Sequence, residues 1–514
     1  MKILFLMRHA LYLRNFESAV RSLAEQGHDI TLMFSPFARQ VDDTLAVFLT
    51  REYPNINQQP IAPRTGWWWP ASDGARVLRD YLRYLEPEYD NAPALVERGG
   101  RRFPSAIRWI FDHVPGMKSR PVRRLLRRMM MLLDRAIPPD PGIVNALRQR
   151  APDIILLTPI VDFSYGQTEY VKAARWLGIP TVLAVASWDN LTNKGLIQIR
   201  PDRVLLWNAI QEREAVTMHG IPPARIQKTG AQLYDHWFDM SPSVDYAAFC
   251  SRAGGLDPAK PTILYLCSSS FVCPDEVSFV EEWLGKLRQS GDPNIRDANV
   301  VVRPHPQHGE QWRGVSLARF GRAVVWPGEG AAPLDADRKH GYFDSLYHAG
   351  AVVGINTSGF IEAGILGKRT LTLATHHFRA TQEGTLHFHY LTQGGLLETA
   401  KTFDEHLSQL SRALANPEET RSQVRAFIAD FVRPNGIDKP ATPFLVDAIL
   451  SAKGLKVEPW AVPAYAPLAR ALFWPISAPV RRFVLYATKS GTPRGVERTV
   501  YFSPAGADMT KRAN

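Results

Sequence analysis

The chain holds only three cysteines in 514 residues, Cys250, Cys267 and Cys273. Three cannot build a disulfide framework, and their spacing matches no metal-ligand pattern, so a reducing compartment is expected. Long apolar runs are also missing. No stretch approaches the roughly 18–20 apolar residues that cross a bilayer. The apolar start, Met1 to Leu6, breaks at Arg8-His9, short of the roughly 7–15 residues of a secretory core. The expectation is a cytoplasmic protein, soluble or peripheral on the inner face of the membrane. Acidic residues fall short of basic ones, 50 against 61, leaving a net charge of +11. That balance suits phosphorylated substrates, anionic lipid or nucleic acid. No recognised nucleic-acid-binding module accompanies it, so nucleic acid is not expected. Hydrophobic residues at 45% exclude a disordered chain, and the length implies two domains.

Lys2–Met7 is apolar on both alternating faces, as a buried parallel strand is. A loop, Arg8–Arg14, precedes a helix over Asn15–Gln26 that Gly27 stops, and Asp29–Phe34 is the next strand. This βαβ opening predicts a parallel, doubly wound sheet. The pattern resumes at Asp153–Thr158, with a helix near Thr168–Leu177 and strands at Pro180–Ala186 and Arg203–Trp207. Between them lies an insertion, roughly residues 40–140, rich in tryptophan, proline and arginine. After a linker near His236–Pro261 a second α/β unit has strands at Thr262–Cys267, Asn299–Arg303, Arg322–Trp326, Ala351–Ile355 and Arg369–Ala374. The expected organisation is a first domain over 1–240, a second over 257–435, and a C-terminal helix with a basic aromatic tail over 436–514. Ligands of such units bind at the carboxyl ends of the strands, in the cleft between them.

Three strand ends of the second unit carry phosphate-compatible groups: Ser268-Ser269-Ser270, Arg303-Pro304-His305-Pro306, and Asn356-Thr357-Ser358-Gly359. In the last, the hydroxyls of Thr357 and Ser358 and the N–H groups of a helix start form an anion cradle. Gly359 would admit a close ligand, and Glu362 could accept hydrogen bonds from ribose hydroxyls. The plain alternative is a helix cap in which Ser or Thr and Glu362 form a capping box. Arg303 and His305 suit a phosphate leaving group, or form an ordinary turn. In the first unit, His9 and Arg14 follow strand one, where they could meet acceptor or donor phosphate, or simply lie in solvent. The loop Ser187-Trp188-Asp189-Asn190 could hold a sugar against Trp188 and Asn190 and supply a general base at Asp189, with His9 as second candidate. Asp189 could equally be a turn-former bonding its own backbone. Gln382 and Glu383, in a polar loop, could meet sugar hydroxyls. The nearby His376, His377, His387 and His389 lack ligand spacing, and Asp335-Ala336-Asp337 lies in a Pro/Gly-rich loop, so no metal is expected.

Residues 262–395 resemble the donor-binding domain of GT-B glycosyltransferases and the related sugar-nucleotide 2-epimerases. The Arg303–Pro306 turn looks like the His-Pro motif of bacterial sialyltransferase-like and Kdo-transferase-like enzymes, and Thr357–Glu362 resembles the Ser/Gly…Glu element of the wider superfamily. The resemblance implies an α/β GT-B fold, two Rossmann-like domains facing a cleft. It implies donor phosphates against Arg303, His305, Thr357, Ser358 and Gly359, ribose near Glu362, and the base near Trp326. It implies no cofactor beyond the nucleotide-sugar co-substrate, and a glycan or lipid-linked acceptor. A 2-epimerase, a polyol-phosphate transferase and a non-catalytic scaffold share this pattern. The run Arg123–Asp134 and the tail Leu468–Tyr486 mix basic and apolar residues, as helices on an anionic membrane surface do, or as helices covering the core.

Overall fold

A computed structural model describes residues 1–34, 43–100, 105–161, 165–306, 308–328, 336–475 and 477. Apolar runs of four to six residues form strands buried on both faces, which requires helices on each side of a sheet. The first sheet contains β1 (Lys2–Met7), β2 (Asp29–Phe34), β3 (Ile56–Pro60), β4 (Ile154–Thr158), β5 (Thr181–Ala184), β6 (Arg203–Leu206) and β7 (Ile226–Lys228), in spatial order 3-2-1-4-5-6-7. The second contains β8 (Thr262–Leu266), β9 (Asn299–Arg303), β10 (Ala323–Val325), β11 (Ala349–Gly354), β12 (Thr370–Leu373) and β13 (Leu397–Ala400), in order 10-9-8-11-12-13. Each pairing is parallel: Phe5 lies between Leu32 and Leu156, and Leu264 between Val301 and Val352. Strand order reverses between β1 and β4 in one sheet and between β8 and β11 in the other. These reversals open crevices at the carboxyl ends of the strands.

The two units are joined by more than a linker. Trp188, Trp207 and Tyr234 of the first share a core with Phe388, Phe431 and Val432 of the second. Asp235 accepts hydrogen bonds from Arg433 Nη2 (3.0 Å) and from the backbone N–H groups of Ala441 (2.8 Å) and Thr442 (2.7 Å). That clamp starts the helix Ala441–Ser451, which crosses back so that Leu445, Val446 and Ile449 pack with Phe5, Phe16 and Leu23 of the first unit.

Several boundaries differ from the sequence expectation. Residues 44–60 are not part of the insertion, because the helix Thr44–Glu52 and β3 complete the first sheet. The Arg8–Arg14 loop is largely a 3-10 helix, Ala10–Asn15. Strand β13 follows β12, so the second sheet does not close at Arg369–Ala374. β3, β7 and β13 were not expected because they are short and largely polar, as edge strands tolerate. The helical insertion proper includes Trp69–Arg83, Pro93–Gly100, Ser105–His113 and Arg120–Ala136. Asp335, Arg101, Arg102 and the tail beyond 477 (Arg481, Arg482, Phe483, Tyr486) lie outside the described residues. Among the described residues no helix is long and apolar enough to cross a membrane.

Candidate active site between the two sheets

At the reversal of the second sheet the β8 and β11 ends are tied together: the backbone N–H of Asn356 donates to Ser268 Oγ at 3.4 Å. Ser268 is itself fixed from below, its N–H donating to the buried Glu276 carboxyl at 2.8 and 3.0 Å. Burial pushes Glu276 up to about 8, partly offset by those donors and Tyr265. Ser268 is thus a buried bracket of the strand-end pair, while Ser269 is more open.

The helix after β11 runs Gly359–Ile365, and no capping box forms. Ser358 makes no side-chain cap, Thr357 Oγ1 instead accepts from the Gly359 N–H at 3.3 Å, and Glu362 turns away to accept from the Tyr342 hydroxyl. A Cβ at Gly359 would stand 2.6 Å from Leu266 Cδ1 and 3.0 Å from Tyr342 Oη. Close packing therefore already accounts for that glycine without a ligand, contrary to the reading that it admits one.

Arg303 closes β9 with its guanidinium between two rings, 5.3 Å from the Trp326 centroid and 4.9 Å from that of Tyr342. Its Nη1 donates to Ser345 Oγ (2.9 Å) and Gly341 O (3.3 Å). Burial brings it down to about 10, against the opposing pull of Tyr342 and Glu362. The residue is built into the wall, and its charge rather than an open fork faces the site. Trp326 forms that wall with it, edge-on to Phe249.

The first domain contributes Arg14. Its 3-10 segment is pinned by Asn15 Nδ2 donating to Ala186 O (3.0 Å) and by Gln232 Nε2 donating to Asn15 O (2.7 Å). The Arg14 side chain is exposed yet lies within electrostatic reach of His305, Glu362 and Tyr234. Burial, with His308 and Arg14 adding to it, lowers His305 to about 4. Burial raises Glu362 to about 7, while Tyr342, Arg14 and Arg303 restrain it. Arg14 of the first domain and Arg303 of the second thus both act electrostatically on the Glu362 carboxyl, a clustering of shifted groups that marks a candidate anion site. His9 immediately precedes the 3-10 segment that carries Arg14, its ring 4.5 Å from that of Tyr12.

The raised Glu362 has a thermodynamic signature. Between its ordinary value of 4.5 and about 7 the folded protein keeps a proton that the unfolded chain releases. The associated stability is present below pH 4.5 and lost as pH rises through 7. Glu362→Gln should therefore melt at a higher temperature than the parent at pH 8 and at the same temperature at pH 4.5. A difference that stays constant across differential scanning fluorimetry at those pH values would contradict this.

Other expected site residues fall elsewhere. Trp188 is buried in the interdomain core, edge-on to His387 at 4.8 Å and to Phe431 at 6.4 Å, so it offers no open face to a sugar. Gln382 is wholly buried and bonds Ile355 O and Thr372 Oγ1, both at 2.9 Å, which bridges the β11 and β12 ends instead of meeting hydroxyls. Asn190 is buried and donates to Asp189 Oδ1 at 3.3 Å. Asp189 also accepts from Ser187 Oγ (2.6 Å) and Asn193 Nδ2 (2.9 Å). Burial raises its carboxyl, but His387, Lys194 and those donors outweigh it and leave it below the ordinary value. Its oxygens are held by neighbouring side chains and make no bond to its own backbone at the helix start, which leaves a carboxylate poorly disposed to take a proton. Glu383 is exposed, 3.5 Å from Arg379. Tyr342 and Tyr234 were missed, because each is an isolated tyrosine without a motif. Among the described residues no group of three or more potential ligands is arranged for a metal. A separate cavity of about 500 Å³ in the insertion is balanced in charge, Arg108, Lys118 and Arg123 against Asp90, Glu97 and Asp112.

No family model matches the sequence, and no curated protein does. Solved structures match over most of their length. The UDP-GlcNAc 2-epimerase of Neisseria meningitidis bound to UDP-GlcNAc superposes with a TM-score of 0.50 at 11% identity, covering 88% of this chain and 100% of that one. The UDP-GlcNAc 2-epimerase of Methanocaldococcus jannaschii gives 0.47 at 11%, covering 87% and 98%. WaaG, a glycosyltransferase involved in lipopolysaccharide biosynthesis, gives 0.45 at 10%, covering 88% and 99%. The superposition on the Neisseria enzyme, with the two parallel sheets, gives this chain a GT-B fold.

Proposed function

We propose that this chain is a glycosyltransferase that moves a sugar from a nucleotide-activated donor to a glycan or lipid-linked acceptor of the cell surface without a metal ion. The observation that carries the reading is that Arg14 of one domain lies within electrostatic reach of His305 and Glu362 of the other, all three following strand ends. Transfer breaks the bond between the anomeric carbon and the nucleotide phosphate, so negative charge grows on the departing phosphate. Fixed positive charge in a water-poor cleft lowers that barrier. Arg14 supplies it from one side, and Arg303 with the backbone at Thr357 and Ser358 from the other. Glu362, oriented by Tyr342, is placed for ribose hydroxyls, and Trp326 and Ser269 border the base and phosphates. The acceptor hydroxyl proton goes to a base, and His9 takes that role in preference to Asp189, whose oxygens are engaged.

Thermal-shift titration with CMP, UDP, GDP, ADP and CDP tests the donor site. One nucleotide should raise the midpoint, the rise should vanish in His305→Ala and Glu362→Ala, and His9→Ala should keep it while losing transfer. A flat response to all five sinks the reading. A second reading, sugar-nucleotide 2-epimerase, is favoured by the fold match to the Neisseria enzyme. Proton NMR of the donor incubated without acceptor separates the two, since only an epimerase inverts C2.

A further inference from the structure

The helix Arg120–Ala136 divides its arginines between two jobs. On its inner side Arg123 and Arg127 pair with Glu86 at 3.2 and 2.6 Å, and Asp134 is buried against Arg76 and Lys172. On its outer side Arg120, Arg124, Arg128 and Arg135 are exposed, and none forms an ion pair with another described residue. At 100° per residue these four fall on one stripe, and Leu125, Met129 and Leu132 form the stripe beside it. Those three apolar side chains are exposed too, Leu125 at 58%. A helix covering the core would turn them inward, so the core-covering alternative does not explain this face.

A segment more than 300 residues away in sequence packs against the same helix. The helix of residues 466–475 docks here through Tyr465, whose hydroxyl donates to Leu132 O at 3.2 Å, and through Phe473, which packs near Met130 and Leu133. Trp474 stacks on Trp67 at 4.9 Å. So held, this helix leaves Leu468 and Leu472 exposed at 66% and 68%. On the other flank the helix Ser105–His113 is joined through Phe111, in one cluster with Leu126, and it exposes Trp109 at 57% and Ile110. Three helices thus present apolar residues beside a row of unpaired arginines. An apolar strip flanked by cations fits the interface of an anionic bilayer, where side chains enter the acyl boundary and guanidinium groups meet phosphates. A protein interface of this size would bring carboxylates for the arginines, and nucleic acid would leave the leucines uncovered.

We infer that helices Ser105–His113, Arg120–Ala136 and 466–475 together form one docking surface for an anionic lipid bilayer. The surface is independent of the donor cleft, and with the proposed transferase activity it would bring that cleft to an acceptor carried in the membrane. The test is flotation of the full chain with vesicles of phosphatidylcholine alone or with about 30% phosphatidylglycerol, at low and high salt. The chain should float with the anionic vesicles, less at high salt, and not with the neutral ones. Each arginine near such a surface contributes about five-fold in partition, so Arg124→Ser with Arg128→Ser should weaken flotation at least ten-fold. Leu468→Ser with Leu472→Ser should do the same. Both double variants should keep the parent's circular dichroism and nucleotide response. Failure to float, equal flotation on both vesicles, or variants that bind like the parent would overturn the inference. A dimer in sedimentation that the same substitutions dissociate would overturn it in favour of self-association. The nucleotide response, read separately, decides the cleft without reference to lipid.

Discussion

Asp134→Ala should detach the helical insertion from the first domain, at a cost of about 3–5 kcal/mol, the usual penalty for removing one partner of a buried ion pair. Four charged side chains meet there with almost no exposure: Arg76 of the insertion, Asp134 of the arginine-rich helix, and Glu169 and Lys172 of the helix Gly166–Leu177. Arg76 Nη2 lies 2.9 Å from Asp134 and 2.6 Å from Glu169, Lys172 Nζ lies 3.0 Å from Asp134, and Ser72 Oγ donates to Asp134 at 2.8 Å. Burial alone would raise the Asp134 carboxyl. Arg76 and Lys172 overcome it and hold the group well below the usual carboxylate range. Its stabilisation is therefore present above the ordinary carboxylate value and lost only as pH falls through the depressed one. Without Asp134, Arg76 and Lys172 share Glu169, with only the more distant Asp73, 3.8 Å from Arg76, to add. Hydrogen exchange of the helices Trp69–Arg83 and Arg120–Ala136 should accelerate more than a hundred-fold, while β8–β13 exchange as before. Unchanged protection of those helices would refute the clamp.

Arg14→Ala should lower kcat for sugar transfer by about 10²–10³, the range seen when one preorganised group facing developing charge is removed. The side chain is exposed and its segment is held by Asn15 and Gln232, so the thermal midpoint without nucleotide should hardly move. His305, which Arg14 helps to depress, should titrate higher in the variant, as histidine NMR would show. Nucleotide affinity should fall less than kcat does, because Arg14 acts across the cleft while most expected phosphate contacts lie in the second domain. A loss of nucleotide affinity with kcat unchanged would make Arg14 a ground-state binding residue instead.

The buried strands were legible because each is apolar on both faces: Lys2–Met7 and Asp29–Phe34 were bounded to the residue, and Asn299–Arg303 likewise. β3, with the sequence Ile-Asn-Gln-Gln-Pro, was not, since an edge strand has no continuous apolar run to betray it. Arg303, His305, Ser358 and Glu362 were placed together by the rule that ligands sit at parallel strand ends. Trp188 and Gln382 were misassigned by the same rule. Strand-end loops also need polar groups to satisfy buried carbonyls, which is what Gln382 does for Ile355, and composition does not distinguish that work from ligand binding. The electrostatic reach of Arg14 into the second domain depends on how the domains face each other, and periodicity carries no information about that.

In the proposed function a nucleotide sugar sits between the domains and touches both. Hydrogen–deuterium exchange with and without the nucleotide that raises the thermal midpoint tests it most directly. Residues 9–15 in the first domain and 303–306 and 357–362 in the second should be protected simultaneously. Protection confined to the insertion cavity around Tyr81 and Tyr89, or to one domain alone, would contradict it.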